Sequence, residues 1–571
     1  MQLLFIPPPA KVSLSNASPI PSLRSGALLG VIELPRSADQ AVEVRFMTEP
    51  VTQEAAPTEA ATQQFRSQVG HISRQSGVFF AGTIVSAALG YLFKIYLART
   101  LGAEALGIYA LGMTLIAFVG IFNSLGLPQS AVRFVAIYEA ERKFKQLHAL
   151  LWRGAVLLLA VNLAAGSLLL AAGRWIAVRF YHSPTLVPYL PLFALIMLFG
   201  AMTGFYRQVL AGYRDLKLRT LIVNFVGAPF NMLLAIVLIS MGLGLRGYLV
   251  AQVGSALVVC ILLIAAVRHF TPPAARFSAQ PGSYPERRVW SFSVSMLGVS
   301  VLELLMAQVD KVAIGFFRNP RELGVYSMAA ALVVYIPLIL TSVNQIFAPI
   351  IAHLHTRGEH ALLSRLFQNL TKWVTGLTLP VVLVVIVFSR PLMRLFGPDF
   401  AAGSPILVIG ALGQLVNCGV GSVGYMLLMS GNEKRLLRAL TGMAAVMVVL
   451  SVTLVPRQGI LGAAIAASVT TAGINIWNLI EVRRTLGLSP YNRSYLKLLL
   501  PAVASIAIVL AIRDYSALFP HEWLAIAVAL LVAYAVFVSL FVISGLDSDD
   551  RLIASAIWSR LSGAVGGGVK A

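Results

Sequence analysis

Apolar runs of about 20 residues, separated by short polar turns, recur along the chain from residue 76 to residue 544. A run of that length, coiled as a helix, matches the ~30 Å hydrocarbon core of a bilayer. Fourteen such runs are read, at 76–97, 106–126, 151–172, 188–209, 220–241, 247–267, 290–316, 325–349, 373–389, 404–428, 438–455, 460–480, 497–512 and 523–544. The shortest are 373–389 and 497–512. The pattern predicts an all-α integral membrane protein with about 14 transmembrane helices. Residues 1–75 differ: they are rich in Pro, Ser, Ala, Thr and Gln without apolar period, which predicts a disordered tail. The run Leu3–Ile6 is too short for a signal peptide and ends at Pro7-Pro8-Pro9. The polar leader that begins at Met47 points to translation starting there, with residues 1–46 an artefact of start-site assignment. Intact mass of the natively expressed protein decides this.

Composition sharpens the reading. The 571 residues are 58% hydrophobic and 12% charged, with mean hydropathy +0.81, whereas soluble domains carry about 25% charged residues. The net charge of +21 would suggest a nucleic-acid partner in a soluble protein. Here the basic residues sit between apolar runs, so topology accounts for them and no nucleic acid is expected. Of 44 Lys and Arg, 32 fall in the two tails and the alternate loops near 127–153, 207–219, 268–288, 351–372, 431–438 and 483–497. Ten fall on the opposite side, and the remaining two, Lys94 and Lys311, lie inside runs. The excess places both termini in the cytoplasm. Cys260 and Cys418 lie far apart inside apolar runs, so neither a disulfide nor a metal framework is implied.

The chain repeats itself. Leu106-Gly107-Ile108-Tyr109 matches Leu323-Gly324-Val325-Tyr326 at a shift of 217 residues, and the same shift carries Lys94 onto Lys311. Gly212 and Gly431 lie at nearly that spacing, each followed by a basic turn, and Gly244-Leu245-Arg246-Gly247 resembles Gly459-Ile460-Leu461-Gly462. A unit of six helices is even in number, so the two copies share one orientation and are expected to be related by a pseudo-twofold axis along the membrane normal. The expected organisation is a tail at 1–75, a lobe at 76–267, a cytoplasmic linker at 268–289, a second lobe at 290–480, two extra helices at 481–545 and a tail at 546–571.

Four charges lie well inside the runs: Lys94, Glu303, Asp310 and Lys311. Each costs roughly 2.5–3.5 kcal/mol at a helix centre on insertion scales, so such groups face a cavity or a partner. Lys94 could also snorkel, being about one turn from the external helix end. Glu303 and Asp310 are seven residues apart and share nearly one helix face, with Lys311 turned about 80° from Glu303. That arrangement makes Glu303 and Asp310 candidates for binding a proton or sodium ion, with Lys311 as a competing partner. Arg133, Arg207, Arg214 and Arg219 stand at cytoplasmic helix ends, where they anchor topology or capture a diphosphate from the inner leaflet. Gly242-x-Gly244-x-x-Gly247 fits a dinucleotide-binding pattern but lies in a turn between membrane helices with no strand before it. There is no phosphate loop, metal spacing or nucleophile elbow in the sequence, so no catalytic residue, cofactor or metal is expected.

The stretch Ile95-Tyr96-Leu97-Ala98-Arg99-Thr100-Leu101-Gly102, followed by Leu106-Gly107-Ile108-Tyr109, resembles the first-to-second helix signature of polysaccharide flippases. Gly126-Leu127-Pro128-Gln129 with Arg133, and Asp310-Lys311 with Leu323-Gly324-Val325-Tyr326 in the second half, are similar to the same family. The resemblance covers roughly residues 70–545 and its motifs gain weight from their order. It implies membership of the multidrug/oligosaccharidyl-lipid/polysaccharide exporter superfamily: a transporter, not an enzyme, with two six-helix lobes around a central cavity. Its cargo would be lipid-linked oligosaccharide of the undecaprenyl-diphosphate type, moved across the inner membrane by alternating access for O-antigen or exopolysaccharide synthesis. A polysaccharide polymerase and a chain-length regulator are then candidate partners of a monomeric flippase. Lys94, Lys311, Arg133, Arg207 and Arg214 are the expected substrate-binding residues. Fourteen helices also fit lipid II flippases. A drug/cation antiporter would be expected to carry an acid in its first helix, where this chain has Lys94. A membrane glycosyltransferase, ligase or polymerase would need large loops, and no interior loop here exceeds about 30 residues.

Overall fold

The computed structural model describes residues 59–213, 216–276, 287–544 and 550. Among them there is no strand, and every long element is a helix. The first half contains α1 (Glu59–Ser124), α2 (Leu127–Ala140), α3 (Phe144–Trp175), α4 (Leu190–Gly212), α5 (Ala228–Leu238) and α6 (Gly244–Phe270). The second contains α7 (Arg287–Phe317), α8 (Pro320–Val333), α9 (Leu338–Thr356), α10 (His360–Val387), α11 (Ser404–Val420), α12 (Val423–Met429), α13 (Glu433–Gln458) and α14 (Ile460–Leu486). Two further helices follow, α15 (Leu499–Asp514) and α16 (Glu522–Ile543). The protein is a multi-pass membrane protein.

Twelve helical runs among the described residues are long and apolar enough to cross a membrane. The sequence reading of fourteen differs at two glycine turns. Ala88–Ser124 is a single run of 37 residues that takes in the end of 76–97 and nearly all of 106–126, with Gly102 at φ 78° inside it. Leu218–Phe270, of 53 residues, takes in 220–241 and 247–267, with Gly242 at φ 84° and Gly244 at φ 50° between them. A positive φ turns the chain sharply at little cost only where there is no Cβ. The predicted run 325–349 is instead broken: α8 ends at Val333 and α9 begins at Leu338. Residues 59–75, read as part of a disordered tail, belong to α1, and residues 1–58, with Met47, lie outside the described residues.

Two lobes make up the fold, related by a pseudo-twofold axis. In the first lobe α3 packs on α4, α4 on α6, and α5 on α6. In the second the same pairings recur as α10 on α11, α11 on α14, and α13 on α14. The contact between the lobes obeys the same symmetry. A methyl group on Gly107 would lie 1.7 Å from the Pro320 carbonyl oxygen, and one on Gly324 would lie 1.9 Å from the Ala103 carbonyl oxygen. The shift that carries Gly107 onto Gly324 carries Ala103 onto Pro320, so the two close approaches are one contact made twice. Lipid offers apolar side chains no advantage in leaving it, so helix crossings of this kind rest on close backbone packing through small residues.

The buried side chains are arranged unequally along the bundle. At the end that carries Gly107 and Pro320, one core runs through both lobes and includes Leu106, Leu111, Leu190, Ile314, Leu323, Phe396 and Ala463. At the other end the core divides. One part, with Leu127, Leu147, Phe205 and Leu263, belongs to the first lobe and takes in Val289 at the start of α7. The other, with Phe347, Leu363, Phe367 and Val482, belongs to the second lobe. The helices α15 and α16 pack on each other and against α10. Beyond them, Asp550 Oδ2 pairs with Lys372 Nζ at 2.7 Å with both side chains fully buried, and Trp373 Nε1 donates to Asp550 Oδ1 at 2.9 Å. The sequence reading placed Lys372 among the loop cations at the membrane surface; burial against the chain beyond α16 corrects it.

Candidate anion path between the lobes

Two cations of the first lobe rest on aromatic rings of the second. Lys94, half-buried on α1, places Nζ 5.3 Å from the centroid of the Tyr335 ring. Arg133, on α2, places its guanidinium carbon 4.8 Å from the centroid of Phe292 on α7, and 5.8 Å from its own neighbour Phe134. The Arg133 Nε is buried and has no hydrogen-bond partner. Among the described residues neither cation has a carboxylate partner. Each is held by the quadrupole of a ring, an interaction of about 0.5–2 kcal/mol that a true anion outweighs in a poorly solvated site.

Local chemistry explains the positions. Arg133 follows the left-handed Gly126 and the helix-starting Pro128, which launch α2 beside α7. A methyl group on Gly126 would lie 2.2 Å from the Ser293 carbonyl oxygen. The Ser130 and Ser293 hydroxyls are 2.6 Å apart, and Gln129 Nε2 reaches Ser300 Oγ at 3.4 Å. Tyr335 lies in the break between α8 and α9, where Tyr335 and Ile336 donate backwards to Leu332 and Val333 in tight turns and Pro337 has no N–H to give. Near it, the Tyr91 hydroxyl is buried without a partner, while the Tyr91 ring packs edge-on against Phe396 with centroids 5.5 Å apart.

The remaining expected residues take different places. Lys311 does not reach across: Nζ donates to Gln308 Oε1 at 2.9 Å and to the Ala307 carbonyl at 3.4 Å, both on α7. Asp310 is buried, and its two oxygens accept from the Tyr326 hydroxyl at 2.5 Å and from the Lys311 backbone N–H at 2.8 Å. It ties α7 to α8 through the tyrosine of the repeated motif. Glu303 is half-buried on α7 and has no hydrogen-bond or ion-pair partner among the described residues. Arg207, half-buried on α4, has a buried Nε without a partner and lies close enough to Arg219 for the two charges to repel. Arg214 lies outside the described residues. The sequence reading named Lys94 and Arg133 but not the rings of Tyr335 and Phe292, which only docking of the lobes brings to them.

At the shared-core end, arginines tie chain segments together. Arg99 Nε donates to the Leu395 carbonyl at 2.8 Å, Arg318 Nη2 to the Pro456 carbonyl at 3.1 Å, and Arg321 pairs with Asp399 at 2.8 Å. With the lobes joined there and their cores parted at the other end, the cations stand along a seam between two bodies.

Residues 72–355 match the family described as "Polysaccharide biosynthesis protein". The chain is 22% identical over 421 residues to a probable flippase, AglR, of Haloferax volcanii, covering 72% of this chain and 83% of that one. Among solved structures, the lipid II flippase MurJ in an inward closed conformation superposes with TM-score 0.62 at 15% identity, covering 81% of this chain and 98% of the other. A multidrug resistance transporter of the MATE family, in an inward-facing conformation, superposes with TM-score 0.57 at 16% identity, covering 70% and 94%. These matches support a polysaccharide flippase family for the chain, and the solved structures share its fold.

Proposed function

We propose that this protein is a flippase that moves lipid-linked oligosaccharide repeat units, carried on a diphosphate of the undecaprenyl type, across the cytoplasmic membrane by alternating access. The observation that carries the reading is the pair Lys94 and Arg133: two cations at the seam, each on a ring of the opposite lobe and without a carboxylate partner. A diphosphate brings at least two negative charges to such a seam and pairs with both kinds of cation. The excess of Lys and Arg supports cytoplasmic termini. The end with divided cores then faces the cytoplasm, where Arg133 and Arg207 receive the head group and Lys94 takes it over further out. Sugars follow between the lobes while the prenyl chain stays in lipid. The first apolar run of α1, residues 76–97, carries Lys94 and no acid, which supports an anionic cargo over a cationic drug. Glu303 is the carboxylate suited to proton or sodium coupling, since Asp310 is engaged by Tyr326 and its own helix.

The experiment is deletion of the gene followed by analysis of lipid-linked sugars, with the purified protein reconstituted in vesicles. Accumulation of a diphosphate-linked oligosaccharide on the cytoplasmic face, and its flipping by the reconstituted protein, is the expected result. Accumulation of lipid II alone would assign the chain to peptidoglycan synthesis instead.

A further inference from the structure

We infer that Tyr335 is the resting partner of Lys94, and that an incoming diphosphate, by lifting the ammonium off this ring, unfastens the lobes beside the shared core. The inference rests on the reading of Lys94 as an anion receiver. Lys94 and Tyr335 belong to different lobes, so their 5.3 Å cation–π contact is a fastening between lobes. It exists only while the ammonium has no better partner, and no carboxylate among the described residues competes for it. A phosphate oxygen does compete, because a full charge attracts more strongly than a ring quadrupole in a poorly solvated seam.

The surroundings suit a contact that is made and broken. Tyr335 sits in the break 334–337, where short turn hydrogen bonds replace the helical ladder. Such a break lets the backbone on either side rotate without dismantling α8 or α9. The neighbouring Tyr91 hydroxyl is buried without a partner. A buried polar group left unpaired is expensive, and a phosphate or sugar oxygen arriving at Lys94 would satisfy it. The repeat supplies a contrast. The residue that corresponds to Tyr335 in the first lobe is Phe118, which packs against the cluster of Val309, Met447 and Ala466. The corresponding lysine, Lys311, bonds within α7 instead. One of the two related seams is therefore built from apolar packing, and the other from a displaceable charge.

The test uses the full-length protein in lipid vesicles, with Ala103→Cys as reporter. Ala103 is buried where the lobes meet, and the native Cys260 and Cys418 are buried as well, so the unmodified protein serves as blank. A membrane-impermeant maleimide is applied with and without farnesyl diphosphate, and with farnesol as the uncharged control. Farnesyl diphosphate, but not farnesol, should speed labelling of the parent. Tyr335→Leu should label about 2- to 30-fold faster than the parent without any probe, the range that the loss of one cation–π contact spans. Tyr335→Phe, which keeps the ring, should behave as the parent, and Lys94→Met should copy Tyr335→Leu. Parental labelling by Tyr335→Leu, or failure of Lys94→Met to copy it, overturns the inference. Flipping of lipid-linked oligosaccharide is scored on the same proteins. Flipping without any labelling response to the diphosphate refutes the Tyr335 switch and leaves the cargo assignment standing. A labelling response without flipping upholds the switch and refutes that assignment.

Discussion

Gly107 and Gly324 face each other's lobes across the pseudo-twofold axis, each pressed against a backbone carbonyl, of Pro320 and of Ala103 respectively. A Cβ at either place would overlap main chain, which cannot swing aside as a side-chain tip can. Gly107→Ala and Gly324→Ala should each push the lobes apart at that end, at a cost of about 1–3 kcal/mol typical of overpacking. Because the contacts are equivalent, the two variants should impair transport similarly and raise maleimide labelling of Ala103→Cys similarly. Normal transport and unchanged labelling in both would show that the end yields without consequence.

Lys94 and Lys311 are related by the repeat, yet the structure gives them unequal surroundings. Lys94→Ala should lower flipping at least tenfold at matched protein abundance, because its cation faces the seam. Lys311→Ala should have a smaller effect, since its ammonium is already satisfied by Gln308 and Ala307. Vesicle flipping assays with the two single variants rank them. Equal losses would mean that Lys311 leaves α7 during transport.

Glu303 offers the remaining test of coupling. Glu303→Gln removes the charge and keeps the shape. Its transport, measured as external pH and sodium are varied, should lose the ion dependence of the parent. A folded variant with parental transport and ion dependence would leave Glu303 with a packing role.

Lys372 and Asp550 form an ion pair shut off from solvent. Removing one partner of such a pair leaves a buried charge and costs about 3–5 kcal/mol, whereas replacing both by apolar residues is often neutral. Asp550→Ala should therefore strongly destabilise the protein in detergent unfolding, and Lys372→Met with Asp550→Leu should recover most of the loss. Equal stability of Asp550→Ala and the parent would make the pair energetically silent.

The helices were legible because each apolar run had to satisfy its own backbone in lipid, which leaves a helix as the one economical choice. The pseudo-symmetry was legible too, through Leu106-Gly107-Ile108-Tyr109 and Leu323-Gly324-Val325-Tyr326, because the glycines recur where the backbones must touch. The extent of each helix was less so: a 20-residue window treats Gly102 as one small residue among many, although its positive φ kinks one long run. Of the candidate site, Lys94 stood out by the cost of a charge in the membrane and Arg133 by its place at a cytoplasmic helix end. Their ring partners did not, because Tyr335 and Phe292 look like ordinary apolar-run aromatics until the lobes dock. Lys372 misled for the opposite reason. At the end of a helix it reads as an interfacial anchor, and its burial depends on Asp550, far along the chain.

The core that both lobes share at one end has a consequence for what leaks. Parting the lobes there would wet Leu106, Leu111, Leu323 and Phe396, all now hidden, at about 25 cal/mol for every Å² of apolar surface exposed to water. An empty carrier has nothing with which to offset that cost. Small ions that wander into the seam find a greasy stopper. A bulky polar head group, by contrast, brings its own hydrogen-bonding surface to cover the gap it opens. If the proposed cargo is carried, the same side chains that hold the resting state together would also insulate the membrane, so that the voltage across it survives the traffic.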